Sequence, residues 1–221
     1  MSSDSINYFD EPPLLCLELF SGTQSFGKQA RLLGYDVVSV DITDYDGKYT
    51  PTHKVDIMNF DYTEYGPDTF SLIWCSPPCV AYSKCQYAWY GQTKADGTIF
   101  TRDTHEQNML QSDIIIRKTL EIIEYFNPDF WFIENPQTGL LKSRAVMRDI
   151  PYIDVDYCQY SNWGYKKSTR IWTNKEILGK KCNKLTCPNM TNNKHNNLVR
   201  RTKNIFERYR IPPNLLNDLI V

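Results

Sequence analysis

A chain of 221 residues that is 41% apolar and 14% aromatic can bury one substantial core, and its length favours a single domain spanning 1–221. No apolar run approaches the roughly 20 residues that span a bilayer, and the polar start MSSDSINYFDEPP lacks the basic and apolar stretches of a signal peptide. No membrane partner is therefore expected, and a cytoplasmic or nuclear protein rather than a secreted one. The net charge of −1 hides two opposed halves: residues 1–141 carry 9 Lys and Arg against 20 Asp and Glu, whereas residues 142–210 carry 16 against 5. A segregated basic half suits phosphate neutralisation, with a solvated basic surface as the plainer reading. The cysteines number seven, an odd count without an export signal, and are expected as free thiols.

The first periodic element is the apolar run Leu14 to Phe20, followed by Ser21-Gly22-Thr23 and a helical pattern through Phe26, Ala30, Leu32 and Leu33 that stops at Gly34. This reads as strand, tight turn, helix. Tyr35 to Ile42 (YDVVSVDI) is a valine-rich second strand, and Asp41 at its end falls about 20 residues after the glycine turn, a spacing known from nucleotide-binding βαβ units. Val55-Asp56-Ile57 reads as a short third strand. Phe70 to Trp74 is a fourth, ended by Pro77-Pro78 because proline cannot donate to a sheet ladder. After a polar and aromatic loop, a helix is expected from about Glu106 to Phe126, then a wholly apolar strand, Phe130 to Ile133, that ends on Glu134-Asn135. Further strands are expected at Tyr152 to Cys158 and Ser168 to Thr173. Lys180 to Lys203, rich in Asn and Lys, reads as an exposed loop; helices return at Asn204 to Tyr209 and Asn214 to Ile220, the last opened by Pro212-Pro213. Strands alternating with helices predict an open, mostly parallel α/β sheet flanked by helices, with ligands beyond the carboxyl ends of the strands.

Residues able to do chemistry fall at those ends. Gly22 lets the backbone of the turn Phe20-Ser21-Gly22-Thr23-Gln24-Ser25 approach a nucleotide-like ligand, although the loop lacks the full G-x-G-x-x-G of dinucleotide sites. Asp41 can accept from ribose hydroxyls and Asp56 from an adenine amine. Ser76-Pro77-Pro78-Cys79 fixes a thiol on a rigid turn, where it serves either as a nucleophile or as a structural cysteine. Glu134 ends a second strand pointing toward the same crevice.

In this order the motifs resemble the DNA cytosine carbon-5 methyltransferases, from about Leu14 to Ile220. ELFSGTQSFG is similar to the family's cofactor loop, VSVDI to its ribose-binding strand end, VDI to its adenine-binding segment, SPPC to its catalytic loop and ENP to its glutamate motif, usually E-N-V. KKSTRIW resembles its basic strand and YRIPPNLLNDLI its closing motif, whose chain returns to the cofactor site. The resemblance implies a Rossmann-like fold that binds S-adenosylmethionine through Phe20 to Ser25, Asp41, Ile42, Asp56, Ile57 and Pro77. It also implies Cys79 attacking carbon-6 of cytosine, Glu134 activating the base, and Arg170 positioning Glu134 or the base. The substrate implied is DNA, duplex first, with the target base extruded from the stack and with contacts from the basic C-terminal half and the aromatic and basic loop 80–106. Internal packing of that loop is the equal alternative. The location implied is cytoplasmic, or nucleoid-associated in a prokaryotic or viral setting.

The chain departs from the family pattern at four places. Gln24 stands where a second glycine is usual, Ser168 where the Gln-x-Arg-x-Arg motif has an arginine, with Lys166 or Lys167 able to supply the lost charge, and Pro136 where valine is common. Between Trp172 and Tyr209 lie 36 residues, too few for a large target-recognition domain, so a short basic insertion at 175–204 and a separate specificity partner are expected. Cys182-x4-Cys187 with His195 nearby raises a zinc reading; the loose spacing and the missing fourth ligand leave the expectation of no metal. Alternative readings are an amino-methyltransferase, an RNA or free-nucleotide cytosine methyltransferase, and a nucleic-acid-binding protein without turnover. A nicotinamide-dependent oxidoreductase is disfavoured by the incomplete glycine fingerprint.

Overall fold

The computed structural model describes residues 14–199 and 204–221; the acidic N-terminal stretch and the basic residues Arg200, Arg201 and Lys203 lie outside them. Seven strands form one sheet: β1 (Leu15–Leu19), β2 (Asp36–Asp41), β3 (His53–Lys54), β4 (Leu72–Cys75), β5 (Phe130–Pro136), β6 (Tyr152–Asp156) and β7 (Ser168–Thr173). Their order is β3-β2-β1-β4-β5-β7-β6. Only β7 runs against its neighbours. This is the Rossmann-like, mostly parallel sheet expected.

The central strands are apolar because both of their faces are covered. With period two, Leu17, Leu19, Ile73, Cys75, Ile133 and Trp172 meet Ile116, Ile122 and Phe126 of helix α2 (Arg102–Phe126) on one face. On the other, Cys16, Leu72, Trp74, Phe132 and Ile171 meet Phe26 and Ala30 of α1 (Ser25–Leu32). The C-terminal helix α4 (Pro213–Ile220) adds Leu215, Leu216 and Leu219 to that second layer. Phe26 stacks on Trp74 with ring centroids 5.3 Å apart, which fixes α1 beside β4. A short helix, α3 (Ile205–Tyr209), precedes α4, and both lie where helical signals return in the sequence. Among the described residues no helix is long and apolar enough to cross a membrane.

Three expectations are corrected. Val55-Asp56-Ile57 is not a strand: the edge strand is His53–Lys54, and the Asp56 carboxylate accepts from the Met58 N–H at 2.9 Å, opening a one-turn 3-10 helix over Ile57–Asn59. Local side-chain capping prevails there over the β preference of Val55 and Ile57. Helix α2 begins at Arg102 rather than Glu106, because Thr101 caps it by accepting from the Thr104 N–H. The segment after Lys180 is not simply an exposed loop. It holds a hairpin of β8 (Met190–Thr191) and β9 (Lys194–His195), and Cys187 and Asn189 are buried.

A charged cluster ties α2 to the loop after β4 and to the segment after β5. Asp113, buried on α2, accepts from the Tyr82 hydroxyl at 2.9 Å and from Arg144 Nε and Nη2 at 2.9 and 2.7 Å. Removing one partner of such a pair leaves a charge stranded in low dielectric. Arg144→Ala should therefore lower unfolding stability by about 3 kcal/mol in a denaturant titration. A loss well under 1 kcal/mol would mean that solvent already satisfies Asp113.

Candidate active site

Sheet order reverses between β1 and β4, and the crevice at this switch point opens into a cavity of about 450 Å³. Its walls come from the loops after β1, β2, β3 and β4, from the end of β5 and from the segment before α4, so residues far apart in sequence converge because parallel strands end on one edge. Of the expected cofactor residues, Phe20, Ser21, Gly22, Thr23, Ser25, Asp41, Ile42, Asp56, Ile57 and Pro77 line it. Gln24 does not; its side chain turns away to donate to the Thr50 carbonyl at 2.8 Å.

The loop after β1 is conformationally costly. Phe20, Gly22 and Gln24 have φ of 59°, 49° and 53°. Glycine adopts such angles freely, whereas a bulky residue such as phenylalanine rarely does. Strain of this kind is held only where surrounding bonds enforce it. Asp41 enforces it here: one carboxylate oxygen accepts from the Gly22 N–H at 2.8 Å and the other from the Thr43 N–H at 2.9 Å. A carboxylate has about four acceptor sites, so Asp41 can hold the loop and still accept from a ligand. Asp56 likewise spends one oxygen on its turn.

Two further wall groups stand out, and the first was not foreseen. Glu18, in the middle of the apolar strand LCLEL, is buried, and burial pushes its carboxyl up to about 8 despite N–H donors from Gly27 and Phe26 and the charge of Arg31. A charged residue inside a strand otherwise apolar on both faces was the available signal. Its Oε2 and the hydroxyl of Ser21 are buried without hydrogen-bond partners, and both residues face the cavity. Unpaired buried polar atoms are rare and call for a ligand or water. Lys167, expected with Lys166 as a source of the charge lost at Ser168, is the second. Its ammonium lies 3.6 Å from Glu134 Oε1 and 4.8 Å from the centre of the Tyr157 ring.

Cys79 and Glu134 meet in this cavity. The Asn135 amide donates to the Pro77 carbonyl at 3.0 Å, binding the proline turn that carries Cys79 to the strand that carries Glu134. The indole of Trp74 donates to the Ser76 hydroxyl at 2.9 Å and steadies the other end of the turn. Burial raises the Cys79 thiol above its ordinary pKa; the charge of Glu134 adds to this and that of Lys167 opposes it. Glu134 is itself buried, and its Oε1 accepts from the Tyr157 hydroxyl at 3.3 Å. A thiol and a carboxyl group thus line one cavity with a lysine whose charge opposes the rise of the thiol.

Arg170 is not among them, which corrects the role expected for it. The register pairs Arg170 with Asn135, so its side chain leaves the sheet face opposite to that of Glu134. There its guanidinium donates to Asp154 at 2.8 and 3.0 Å and stacks 3.4 Å from the Tyr152 ring centre. The lysine beside Glu134 comes from the residue just ahead of β7, where KKSTR carries charge but not at the arginine position.

Part of the loop between Cys79 and α2 packs on itself, although most of its residues are exposed. Tyr82 is buried, and Tyr90 and Phe100 surround His105, whose ring nitrogens bond the Tyr90 hydroxyl and the Ala81 carbonyl at 2.8 Å each. Tyr87 and Trp89 remain exposed at 47% and 58%, as does Val80 next to Cys79 at 64%, and these can still meet a substrate. The expectation of no metal is also overturned in its premise. Cys158 supplies the missing fourth group, and with Cys182, Cys187 and His195 it forms a cluster that shares no residue with the cavity wall.

No protein-family model matches the chain. In fold it is similar to the Entamoeba histolytica methyltransferase EhMeth, with a TM-score of 0.50 and 13% identity over 78% of this chain and 58% of that one. The Spodoptera frugiperda DNMT2 gives a TM-score of 0.45 and 14% identity over 77% and 55% of the two chains. The chain therefore spans less than two thirds of either solved protein, and these likenesses concern the fold alone. In sequence it is 34% identical over 222 residues to the Frog virus 3 (isolate Goorha) protein named "Probable DNA (cytosine-5)-methyltransferase", covering 92% of this chain and 97% of that protein. With identity of that degree along nearly the full length of both, the chain belongs to the DNA (cytosine-5)-methyltransferase family.

Proposed function

We propose that this protein transfers a methyl group from S-adenosylmethionine to carbon-5 of cytosine in DNA, with Cys79 as covalent nucleophile and Glu134 as the group that activates the base. The observation that carries the reading is the shared wall: a thiol and a buried carboxyl, joined through the Asn135 to Pro77 bond, open onto a cavity whose other end has the features of a nucleoside site. The residues fit the cofactor. Asp41 and Asp56 keep acceptor capacity for ribose hydroxyls and an adenine amine, Ile42 and Ile57 offer apolar contact, and the unpartnered Glu18 and Ser21 oxygens suit its polar amino-acid end.

When bound, the cofactor supplies an electrophilic methyl group. Carbon-5 of cytosine is too weak a nucleophile to take it unaided. The Cys79 thiolate forms a bond to carbon-6, and the electron pair of the 5,6 double bond moves into an enamine whose nucleophilic end is carbon-5. Glu134 in its protonated form donates to ring nitrogen-3 and accepts from the exocyclic amine, so that charge developing on the ring is neutralised. After methylation a solvent base takes the carbon-5 hydrogen as a proton. The freed pair restores the double bond and expels the Cys79 thiolate.

DNA is the substrate that fits the basic C-terminal half: Lys167 and Arg208 stand at the cavity wall, and exposed Trp89 and Tyr87 can occupy the space an extruded base leaves. Such a substrate places the protein in the cytoplasm, nucleus or nucleoid. With only a short insertion at 175–204, sequence selection falls to that segment or to a separate partner. The reading is tested by incubating the protein with labelled cofactor and DNA, then resolving the digested nucleosides. Label in 5-methylcytosine is expected; label in N4-methylcytosine, or in RNA only, would overturn it.

A further inference from the structure

The structure assigns a second site to this chain: a tetrahedral zinc centre built from Cys158, Cys182, Cys187 and His195. These four residues come from three separate places. Cys158 follows β6, Cys182 and Cys187 lie in the insertion, and His195 is on β9. Their ligating atoms all lie within 4.8 Å of one another. His195 Nε2 is 3.6 Å from both the Cys182 and the Cys187 sulfur. For zinc bound to sulfur at about 2.3 Å and to nitrogen at about 2.0 Å, the edge of a tetrahedron between them is about 3.5 Å. The two histidine–sulfur spacings are thus those a Cys3His set presents around one ion, and all four groups stand close enough to share it.

The surroundings are built to hold these groups in place. The Asn189 amide, buried between the strands, donates to the Cys158 and Ser161 carbonyls at 2.8 Å each, and its oxygen accepts from the Gly164 N–H at 2.9 Å. The Cys182 N–H donates to Asp156 at 2.8 Å, and the Met190 N–H to the Cys187 carbonyl at 3.2 Å. The insertion has little else to fold around: Leu178 and Leu185 are 94% and 90% exposed, and its hairpin has two residues per strand. A segment with so little apolar burial needs a staple, and a structural metal is the common one. All seven cysteines are free thiols, so no disulfide does this. The three thiols with one imidazole are a soft donor set that favours zinc over magnesium or calcium, and four protein ligands leave no open position, which marks the ion as structural rather than catalytic. The metal would pin the basic insertion to the end of β6, one residue after Tyr157, without entering the cavity.

Elemental analysis of the full chain, purified without chelator, tests this. One zinc per chain is expected, retained in Cys79→Ser and Cys85→Ser and lost in Cys187→Ser and His195→Ala. Because those last two can fail to fold, protein produced in cobalt medium gives a second readout. The native chain should show the visible absorption of tetrahedral cobalt with thiolate charge transfer, and His195→Cys should keep tetrahedral cobalt with a stronger sulfur signature. A folded native chain that carries neither zinc nor tetrahedral cobalt would overturn the site. So would zinc that persists when Cys187 and His195 are replaced, or a disulfide between Cys182 and Cys187 in freshly purified protein.

Discussion

Cys79→Ser should lower methyl transfer by about 10⁴-fold or more while leaving S-adenosylmethionine affinity within about twofold of the native chain. That loss corresponds to about 5 kcal/mol of transition-state stabilisation at about 1.36 kcal/mol per decade. It follows from the serine hydroxyl being a far weaker nucleophile than a thiolate at neutral pH. Asp41, Asp56 and the strained loop after β1 lie at the other end of the cavity, so cofactor binding is spared. The thiol also sets a pH dependence. Its pKa is raised by burial and by Glu134, so the thiolate is the minor form at neutral pH and its fraction climbs about tenfold per pH unit below that pKa. Turnover on DNA should accordingly rise from neutral toward alkaline pH until the thiol is half ionised. A rate independent of Cys79, or one that falls over this range, would remove the thiol from the chemistry.

Glu134→Gln should reduce turnover by about 10²- to 10⁴-fold, since the amide cannot exchange a proton with ring nitrogen-3. The same change removes a negative charge that raises the Cys79 thiol. Alkylation of Cys79 should therefore become faster at a given pH even as catalysis slows. The two opposed effects separate a role in activating the base from a role in merely shaping the pocket, which would slow both or neither. Measuring the alkylation rate against pH in the two proteins shows whether the midpoint falls. An unchanged midpoint would mean that Glu134 does not feel Cys79 across the cavity.

Much of this architecture was legible in the chain because it rests on local patterns. Runs such as LIWC and FWFI are apolar on consecutive residues, as strands covered on both faces must be, and Gly22 and Pro77-Pro78 mark the turns after β1 and β4. The cavity residues could be named because parallel strands deliver their carboxyl ends to one edge. What escaped depends on three-dimensional placement. A one-residue difference in register decides which face a side chain leaves, and this is why Arg170 pairs with Asp154 while Lys167 reaches Glu134. Asp56 marks a strand end by its neighbours but caps a turn by its own carboxylate. Cys158 sits 24 positions before Cys182, outside any short metal-binding spacing, and only the fold brings the two together. Glu18 was visible as a charge within an apolar strand, yet nothing along the chain says that its second oxygen lacks a partner.

The proposed chemistry stands or falls on a covalent bond between Cys79 and the target base. DNA carrying 5-fluorocytosine tests it most directly, because the carbon-5 fluorine cannot leave as a proton does and the final elimination is blocked. Incubated with labelled S-adenosylmethionine, the native chain should give a labelled protein–DNA adduct that survives a denaturing gel and is absent in Cys79→Ser. A native chain that binds the cofactor and methylates ordinary DNA, yet forms no such adduct, would contradict attack by Cys79 at carbon-6.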